Sequence, residues 1–482
     1  MIDRLEIEKK WLEKLKPKRN KKKHTSLHFD SKVKNPKKHL VLISNIESMS
    51  THAFLPFVKF NKSKCKYKFD PKKGKRVLQK RDEVGNLKVR PIMYAGHLDT
   101  LIYVWYQCIL EKFYEEILIK DQLSSAVIAY RSIKKEENSE GKCNIDFANE
   151  IFTFIRKKGE ECVALTFDIE KFFESLSHVL LKEKWCKVLG AQTLPSDHYN
   201  VFKSLTKYSF IDLTQNEIKK ILKINTKGLQ AYAKKYARSF GGHERFSGER
   251  FRELKKEIRE LEKRKSFAVF YKNSNGKGIP QGSPMSGLLA NIYLIDFDRS
   301  INEIVHSAGG IYRRYSDDII IVCPVKEAKK LEDAIRNAIS KNKDTHNDAY
   351  LIIKEEKTGR VAFLKGIDGL TSWKIDKDFN VTKKVRKSLQ YLGFEFDGKK
   401  VFLRSGSVAK FYNKLNYRIR KTKKLHQRGP LLKRKLFRKH TKLGKSNFFS
   451  YVRKSKKSIS NNQFRNQLKK HLPTIQKALV QR

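Results

Sequence analysis

Acidic residues are what this sequence is short of. Of its 482 residues only 51 are Asp or Glu, against 106 Lys or Arg, which leaves a formal net charge of +55. That excess is far beyond what solubility needs and implies a polyanionic partner. From Gly398 to Arg482 there are 27 Lys or Arg and no acid, so chemistry that needs a carboxylate cannot reside there. Cysteine is sparse too: Cys65, Cys108, Cys143, Cys162, Cys186 and Cys323 are scattered, with no Cys-x-x-Cys pair and no clustered His. This argues against both a disulfide framework and a structural zinc. No apolar run approaches the roughly 18 residues of a membrane helix, and the densest, Ile319–Cys323, is only strand-length. The start, Met1-Ile2-Asp3-Arg4-Leu5-Glu6, lacks the apolar core of a secretory signal, so a cytoplasmic protein without a membrane partner is expected. What the chain does have is 39% apolar and 11% aromatic residues, enough to build real cores. Its length suits roughly two to four packed units.

Residues 1–40 carry 14 Lys or Arg against 5 acids and read as a basic arm, in which Trp11, Leu12 and Leu15 are able to anchor a short helix. Leu87-Lys88-Val89-Arg90-Pro91-Ile92 follows a turn at Glu83–Asn86, the pattern of a hairpin, and a helix is expected from Leu98 to Tyr114. Val163–Ile169 is β-rich and reaches an acid, Asp168. Residues 179–275 read as a long, charged, helix-prone insertion in which Phe251, Leu254, Ile258 and Leu261 recur at helical spacing. Gly276–Gln281 is a loop and Met285–Asp298 an apolar helix. Ile311–Tyr315 and Ile319–Val322 flank Ser316-Asp317-Asp318 as two strands around a tight turn. Lys326–Lys341 should be helical, Tyr350–Ile353 a strand, and Tyr391–Leu403 a hairpin turning at Asp397-Gly398. In the acid-free end, Val408, Phe411, Leu415 and Ile419 share one helix face, and Phe464, Leu468, Leu472, Ile475 and Leu479 another.

Asp168 at a strand end and Asp317-Asp318 at a hairpin tip are the chemically suggestive residues. Adjacent acids between apolar strands repel, and a cation is the natural way to hold them, although a solvated turn has the same sequence. Between the two acidic sites lies Gly278-Ile279-Pro280-Gln281-Gly282-Ser283-Pro284-Met285, whose glycines and prolines let backbone approach a ligand closely.

In serial order these segments are Phe167-Asp168-Ile169 with Phe172-Phe173, then Pro280-Gln281-Gly282-Ser283-Pro284, then Tyr315-Ser316-Asp317-Asp318, then Tyr391-Leu392-Gly393-Phe394. Over roughly residues 75–420 the sequence thereby resembles reverse transcriptases, especially the bacterial retron, group II intron and antiphage-defence branches. The resemblance implies an α+β right-hand polymerase. Its parts would be a basic arm (1–40), fingers (41–160), an antiparallel palm (161–400) with a helical insertion at about 179–275, and a basic helical thumb with a C-terminal extension (401–482).

It also implies site roles. Asp168 and Asp317 would bridge two Mg²⁺ ions, for which Mn²⁺ could substitute. Asp318 would support them, and the Ile169 carbonyl would add a backbone ligand; hard oxygen donors suit such ions. Arg90 would grip the dNTP phosphates and Gln281 the sugar. Phe173, five residues after Asp168, would exclude a ribose 2′-hydroxyl, with Phe172 as the competing candidate. Lys357 would protonate leaving pyrophosphate, with Lys354 competing. Arg131, Gly282, Ser283, Pro284 and Tyr315 would contact nucleic acid; Arg90 and Arg131 also read simply as surface arginines.

The acid-free C-terminal tract cannot supply the acidic cluster of a ribonuclease H. The expected function is RNA-directed DNA synthesis in bacterial antiviral defence, with an RNA template in the form of a dedicated structured non-coding RNA. An RNA–DNA or DNA duplex would be the product, and a homo-oligomer is left open. Alternatives are a template-independent or RNA-synthesising nucleotidyltransferase, a mobile-element reverse transcriptase and, more remotely, a non-catalytic RNA-binding protein.

Overall fold

Apolar and β-branched residues dominate Cys162-Val163-Ala164-Leu165-Thr166-Phe167, and they form the middle of a six-stranded sheet rather than an edge. This is a computed structural model, which describes residues 3–16, 28, 30, 33–64, 67–70, 75–78, 88–135, 140–212, 256, 259–260, 270–344, 349–367, 369–424, 429–459 and 463–480. The turn expected at Glu83–Asn86 and the stripe Phe251, Leu254, Ile258 and Leu261 lie outside the described residues. In chain order the strands are β1 (Phe57–Lys64), β2 (Tyr67–Asp70), β3 (Lys75–Leu78), β4 (Lys88–Tyr94), β5 (Cys162–Asp168), β6 (Ser209–Asp212), β7 (Phe270–Lys272), β8 (Ile311–Tyr315) and β9 (Asp318–Pro324). They continue with β10 (Lys343–Asp344), β11 (Ala349–Tyr350), β12 (Gly359–Gly366), β13 (Gly369–Ile375), β14 (Val381–Arg386), β15 (Leu389–Tyr391), β16 (Phe394–Phe396) and β17 (Val401–Leu403). With the helices between them they make the α+β chain expected from the sequence.

The chain divides into two compact units, residues 1–124, 171–296 and 340–352 in the first and 125–170, 297–339 and 353–482 in the second. The first holds a sheet ordered β4-β1-β6-β7. β1 pairs antiparallel with β4 and parallel with β6, so two strands from the segment expected to be a helical insertion complete the sheet that carries Arg90. The helix His97–Lys120 buries Ile102, Tyr103, Tyr106, Leu110, Tyr114 and Leu118 in this unit. Against it sits the helix Arg4–Leu15, whose Trp11 is fully buried and donates its indole N–H to the Leu101 carbonyl at 3.0 Å. Lys10 and Lys14 both reach Glu111, at 3.0 and 2.9 Å, so part of the basic arm is pinned and neutralised.

The second unit carries the sheet β14-β13-β12-β5-β9-β8. Cross-strand partners share a face, and Ala164, Ile320, Val322, Val361 and Phe363 line one core with the helices Asn144–Lys158 and Ser405–Lys424 and the β15-β16-β17 sheet. Phe411, Leu415 and Ile419 are buried in that core, as are Phe464, Leu468 and Ile475. The C-terminal basic helices therefore share a core with the sheet. Polar ties reinforce this: Asn144 Nδ2 donates to the Leu392 carbonyl at 3.0 Å, and Ser458 Oγ donates to Asp146 at 2.8 Å. The expected strand at Tyr350–Ile353 is only β11, while β12 to β14 arise from a stretch for which the sequence suggested no strands. No helix among the described residues is long and apolar enough to cross a membrane.

Candidate active site

Asp168 ends β5 and Asp318 begins β9, and the register of this antiparallel pair sets them directly opposite each other. Such partners hold their Cβ atoms roughly 4.5–5.5 Å apart on one face of the sheet. The turn before Asp318 is fixed from several sides. Ser316 takes a left-handed backbone (φ 63°), and its hydroxyl lies 3.0 Å from that of Tyr130. Arg314, fully buried, donates to the Ser316 carbonyl at 3.2 Å and forks onto Asp298 at 2.7 and 2.6 Å, where Tyr312 also donates at 2.6 Å. The segment carrying Tyr130 and Arg131 is laced to β8: Arg314 N–H donates to the Ala126 carbonyl at 2.8 Å and Ile128 N–H to the Arg314 carbonyl at 3.0 Å. Ile169 N–H donates to the Asp317 carbonyl at 3.1 Å, so the β5 end and the hairpin tip are joined through backbone.

Asp168 and Asp318 line a cavity of about 680 Å³ whose walls also carry Glu356, Lys357, Lys387, Tyr391, Glu395 and Arg404. The Asp318 carboxyl is pushed up to about 6, first by burial and then by the charges of Asp317 and Asp168, with Arg404 and Lys357 opposing the rise. Asp318 is an exposed residue, but the surface it shows opens into the cavity. Lys357 places its ammonium on the Asp168 carboxylate, whereas its competitor Lys354 is held by Glu170 at 2.8 Å. Among the described residues no group of three or more His, Cys, Asp or Glu side chains is set closely enough to hold a metal. The opposed pair Asp168 and Asp318 is therefore the donor set offered to a cation. Its crowding of negative charge, met by a lysine ammonium, fits a divalent ion. Gly359 faces Thr166 across the strands, and a Cβ there would come within 2.3 Å of Thr166 Oγ1, so a larger residue would require the Thr166 hydroxyl to turn away.

The first unit brings a second set together. Gln281 accepts a hydrogen bond at its carbonyl from Met93 N–H of β4 at 2.7 Å, and the Phe173 carbonyl accepts from Ile279 N–H at 2.9 Å. The Pro280–Pro284 loop is thus clamped between the strand of Arg90 and the turn of Phe173. Gly282 has φ +123°, and a Cβ on it would sit 2.5 Å from the Met93 carbonyl. Ser286 Oγ closes the loop by donating to the Pro280 carbonyl at 2.6 Å, while Ser283 Oγ is buried without a hydrogen-bond partner. Phe172 is buried and Phe173 only half-buried, their rings 5.6 Å apart, so of the two Phe173 is the one with exposed surface. Arg90 is exposed.

The expected residues thus fall into two groups, one per unit: Arg90, Phe173, Gln281, Gly282, Ser283 and Pro284 in the first, and Asp168, Ile169, Asp317, Asp318, Arg131, Tyr315 and Lys357 in the second. Arg131 donates to the Val127 carbonyl at 2.5 Å and does not line the cavity. Sequence reasoning missed Lys387, Arg404 and Gly359. The first two bracket the Tyr391-Leu392-Gly393 segment, and that position beside a recognised motif was the available signal.

Residues 253–396 match the family model for reverse transcriptase (RNA-dependent DNA polymerase). The span is less than a third of the chain; it includes Gln281, Asp317 and Asp318 and leaves out Asp168. It agrees with the right-hand polymerase fold expected from the sequence. No curated protein matches. Among solved structures the chain is similar to apo telomerase from Candida tropicalis, with TM-score 0.37, 12% identity, and 88% of this chain and 60% of that one covered. It is also similar to telomerase from Candida albicans in complex with a TWJ fragment of telomeric RNA, with TM-score 0.35, 12% identity, and 90% and 69% covered. For the Candida tropicalis apo telomerase truncated from its C-terminal domain the values are 0.33, 12%, 70% and 53%, so the chain spans about half the length of that structure.

Proposed function

We propose that this chain, which carries a reverse transcriptase domain at residues 253–396, is an RNA-directed DNA polymerase whose reacting centre is the cavity of Asp168 and Asp318. The observation that carries this reading is the opposition of the two carboxylates across β5 and β9, with a third, Asp317, raising the cost of their joint ionisation. A catalytic divalent cation, Mg²⁺ in our reading, would when bound lower the pKa of a primer 3′-hydroxyl and neutralise charge on the transferring phosphoryl group. Asp168 and Asp318, the pair opposed across β5 and β9, would hold it, with the Ile169 carbonyl and Asp317 in support, so the roles that the resemblance gave to Asp317 and Asp318 are exchanged in this reading. Lys357 keeps an ammonium, and hence a transferable proton, beside Asp168. Arg90, on an exposed edge of the first unit, offers a bidentate fork for a triphosphate. The partial exposure of Phe173, where Phe172 is buried, supports a steric choice of dNTP over rNTP. An RNA template, a duplex product and a role in bacterial antiviral defence with a dedicated structured RNA complete the reading, on the resemblance alone.

Primer extension on an RNA template with labelled dNTPs or rNTPs tests the core of it. Incorporation of dNTPs is expected, and its loss in Asp317→Ala/Asp318→Ala with RNA binding retained. Preferential use of rNTPs would instead identify an RNA-synthesising enzyme and remove Phe173 as the gate. Sequencing nucleic acid that co-purifies with the protein tests the dedicated RNA: a heterogeneous population would contradict it.

A further inference from the structure

His178 opens the helix His178–Leu189 in the first unit, and its side chain is turned inward, leaving the residue 9% exposed. The imidazole Nε2 lies 2.8 Å from the Gly278 carbonyl, on the approach to Gln281. A carbonyl oxygen only accepts, so Nε2 carries the proton of this bond and donates it. Burial holds the pKa of His178 below the ordinary 6.5, with the Gly278 bond opposing the fall, so near neutral pH the tie is made by an uncharged ring. Asn273, just past β7, donates its Nδ2 to the same Gly278 oxygen at 3.2 Å and also serves the Thr206 and Lys277 carbonyls at 2.9 and 3.0 Å. Two side chains from different elements thus converge on one backbone oxygen.

The backbone joins the same two segments. Gly278 N–H donates to the Leu176 carbonyl at 2.8 Å, Ile279 N–H to the Phe173 carbonyl at 2.9 Å, and His178 N–H to the Gly276 carbonyl at 2.8 Å. The His178 end is itself anchored, because Ser177 Oγ donates to Asp344 at 2.7 Å and accepts from Leu180 N–H at 3.3 Å. What this lacing holds is a strained turn. Phe172–Glu174 is a single short helical turn, entered through Lys171 in a left-handed backbone (φ 43°). A non-glycine residue keeps such a conformation only where its surroundings over-determine it. Phe173 can reject a 2′-hydroxyl only as far as its backbone cannot retreat, and a displacement of about 1 Å is enough to change selection at a reacting centre.

The geometry points to His178 as a positioning residue: through the Gly278 carbonyl it fixes the Phe173 turn against the Gln281 loop, and thereby sets the discrimination between dNTP and rNTP. This deepens the polymerase reading and rests on it for the nucleotides. His178 touches neither of them and acts through Phe173.

Two measurements on the full chain test it. Hydrogen–deuterium exchange follows the Gly278 and Ile279 amides, whose protons are held by the Leu176 and Phe173 carbonyls, and needs no catalysis. Primer extension on one primer–template gives kcat/KM for dNTP and for rNTP. In His178→Leu, exchange of those amides should rise about 10-fold, the effect of losing roughly one hydrogen bond. The dNTP-to-rNTP ratio of kcat/KM should fall by a similar factor. His178→Gln, whose amide places a donor the same number of bonds from the backbone, should return both to the parent values. Parent-like exchange in His178→Leu would overturn the tie, and an unchanged ratio would overturn its part in selection. So would an equal loss with both nucleotides, the mark of a merely structural defect, or a loss that Gln does not restore. Should a thermal melt show that His178→Leu does not fold, Asn273→Ser removes the second donor to the same oxygen and carries the same expectations. A parent that incorporates neither nucleotide would sink the polymerase reading and sugar selection with it, while the exchange measurement judges the tie by itself.

Discussion

With Asp168 opposite it and Asp317 beside it, the Asp318 carboxyl ionises at about 6 in the folded chain against an ordinary 3.8, with burial as the first cause. A raised carboxyl pKa means that the folded state binds the proton more tightly than the unfolded state. Ionisation therefore subtracts stability, in full above about 6, and the loss is recovered as pH falls toward 3.8. In the presence of a chelator, Asp318→Asn should raise the melting temperature at pH 8, by a stabilisation of about 1 kcal/mol once solvent screening of this open site is discounted. The gain should disappear near pH 4, while primer extension is lost at every pH. A gain that persists at pH 4 would mean that charge is not its source. Gly282 makes a simpler case, because a Cβ would meet the Met93 carbonyl at 2.5 Å on a backbone that only glycine adopts readily. Gly282→Ala should cost about 1–3 kcal/mol, read as a lowered melting temperature. Adjacent acids at a turn are conspicuous in a sequence, which is why the carboxylates were singled out; the left-handed Ser316 and the places of Lys387 and Arg404 in the cavity wall depend on tertiary neighbours and were not.

The β8–β9 hairpin was legible because two apolar runs flank a short polar turn. What holds it was not, since nothing in the sequence links Arg314 to Asp298, sixteen positions away and on a different element. Both are fully buried, with a forked pair of hydrogen bonds at 2.7 and 2.6 Å. Removing one partner of such a pair leaves an uncompensated buried charge. Asp298→Ala should therefore lower stability by about 3–5 kcal/mol in a denaturant titration, whereas Arg314→Met with Asp298→Leu should recover most of that loss. Equal destabilisation by the two changes would show that packing rather than charge dominates at this position. The strands β12 to β14 escaped the sequence reading for a different reason. Their outer part, from Ser372 to Arg386, mixes lysines and polar residues with few apolar ones, so the period-2 signal is weak where one face carries cations. β6 and β7 were hidden by brevity: they hold four and three residues, and β6 finds its partner β1 across some 150 residues of chain.

At the scale of the molecule, the excess of basic residues first indicated only a polyanion, and the structure gives that charge an internal arrangement. Some of it is neutralised by design of the fold, as where Lys10 and Lys14 meet Glu111 and where Arg336 and Arg360 share Glu332 and Glu355. The acid-free C-terminal helices cannot neutralise theirs internally. They bury Phe411, Leu415, Phe449, Val452 and Phe464 in the core they share with the β5–β9 strands and leave lysines and arginines such as Lys410, Arg420, Arg453 and Lys457 exposed. Apolar periodicity made that inward face readable in the sequence; which core it joins was not readable, because the partner surface is a sheet assembled from strands scattered from Cys162–Asp168 to Gly359–Gly366. A surface of this kind binds a nucleic-acid backbone by releasing counterions, at about 0.9 per neutralised duplex phosphate. Affinity for an RNA–DNA duplex should then fall linearly on a log–log plot against salt, with a slope of magnitude of about 4 or more if roughly five phosphates are covered. Changing Lys410, Arg420, Arg453 and Lys457 together to Gln should reduce that magnitude by about one for each side chain that touches a phosphate, leave the melting temperature unaltered, and act equally on duplexes of any sequence. A slope that stays at the parent value would place the duplex on another face of the protein, and a shift in melting temperature would show that these cations serve the fold instead.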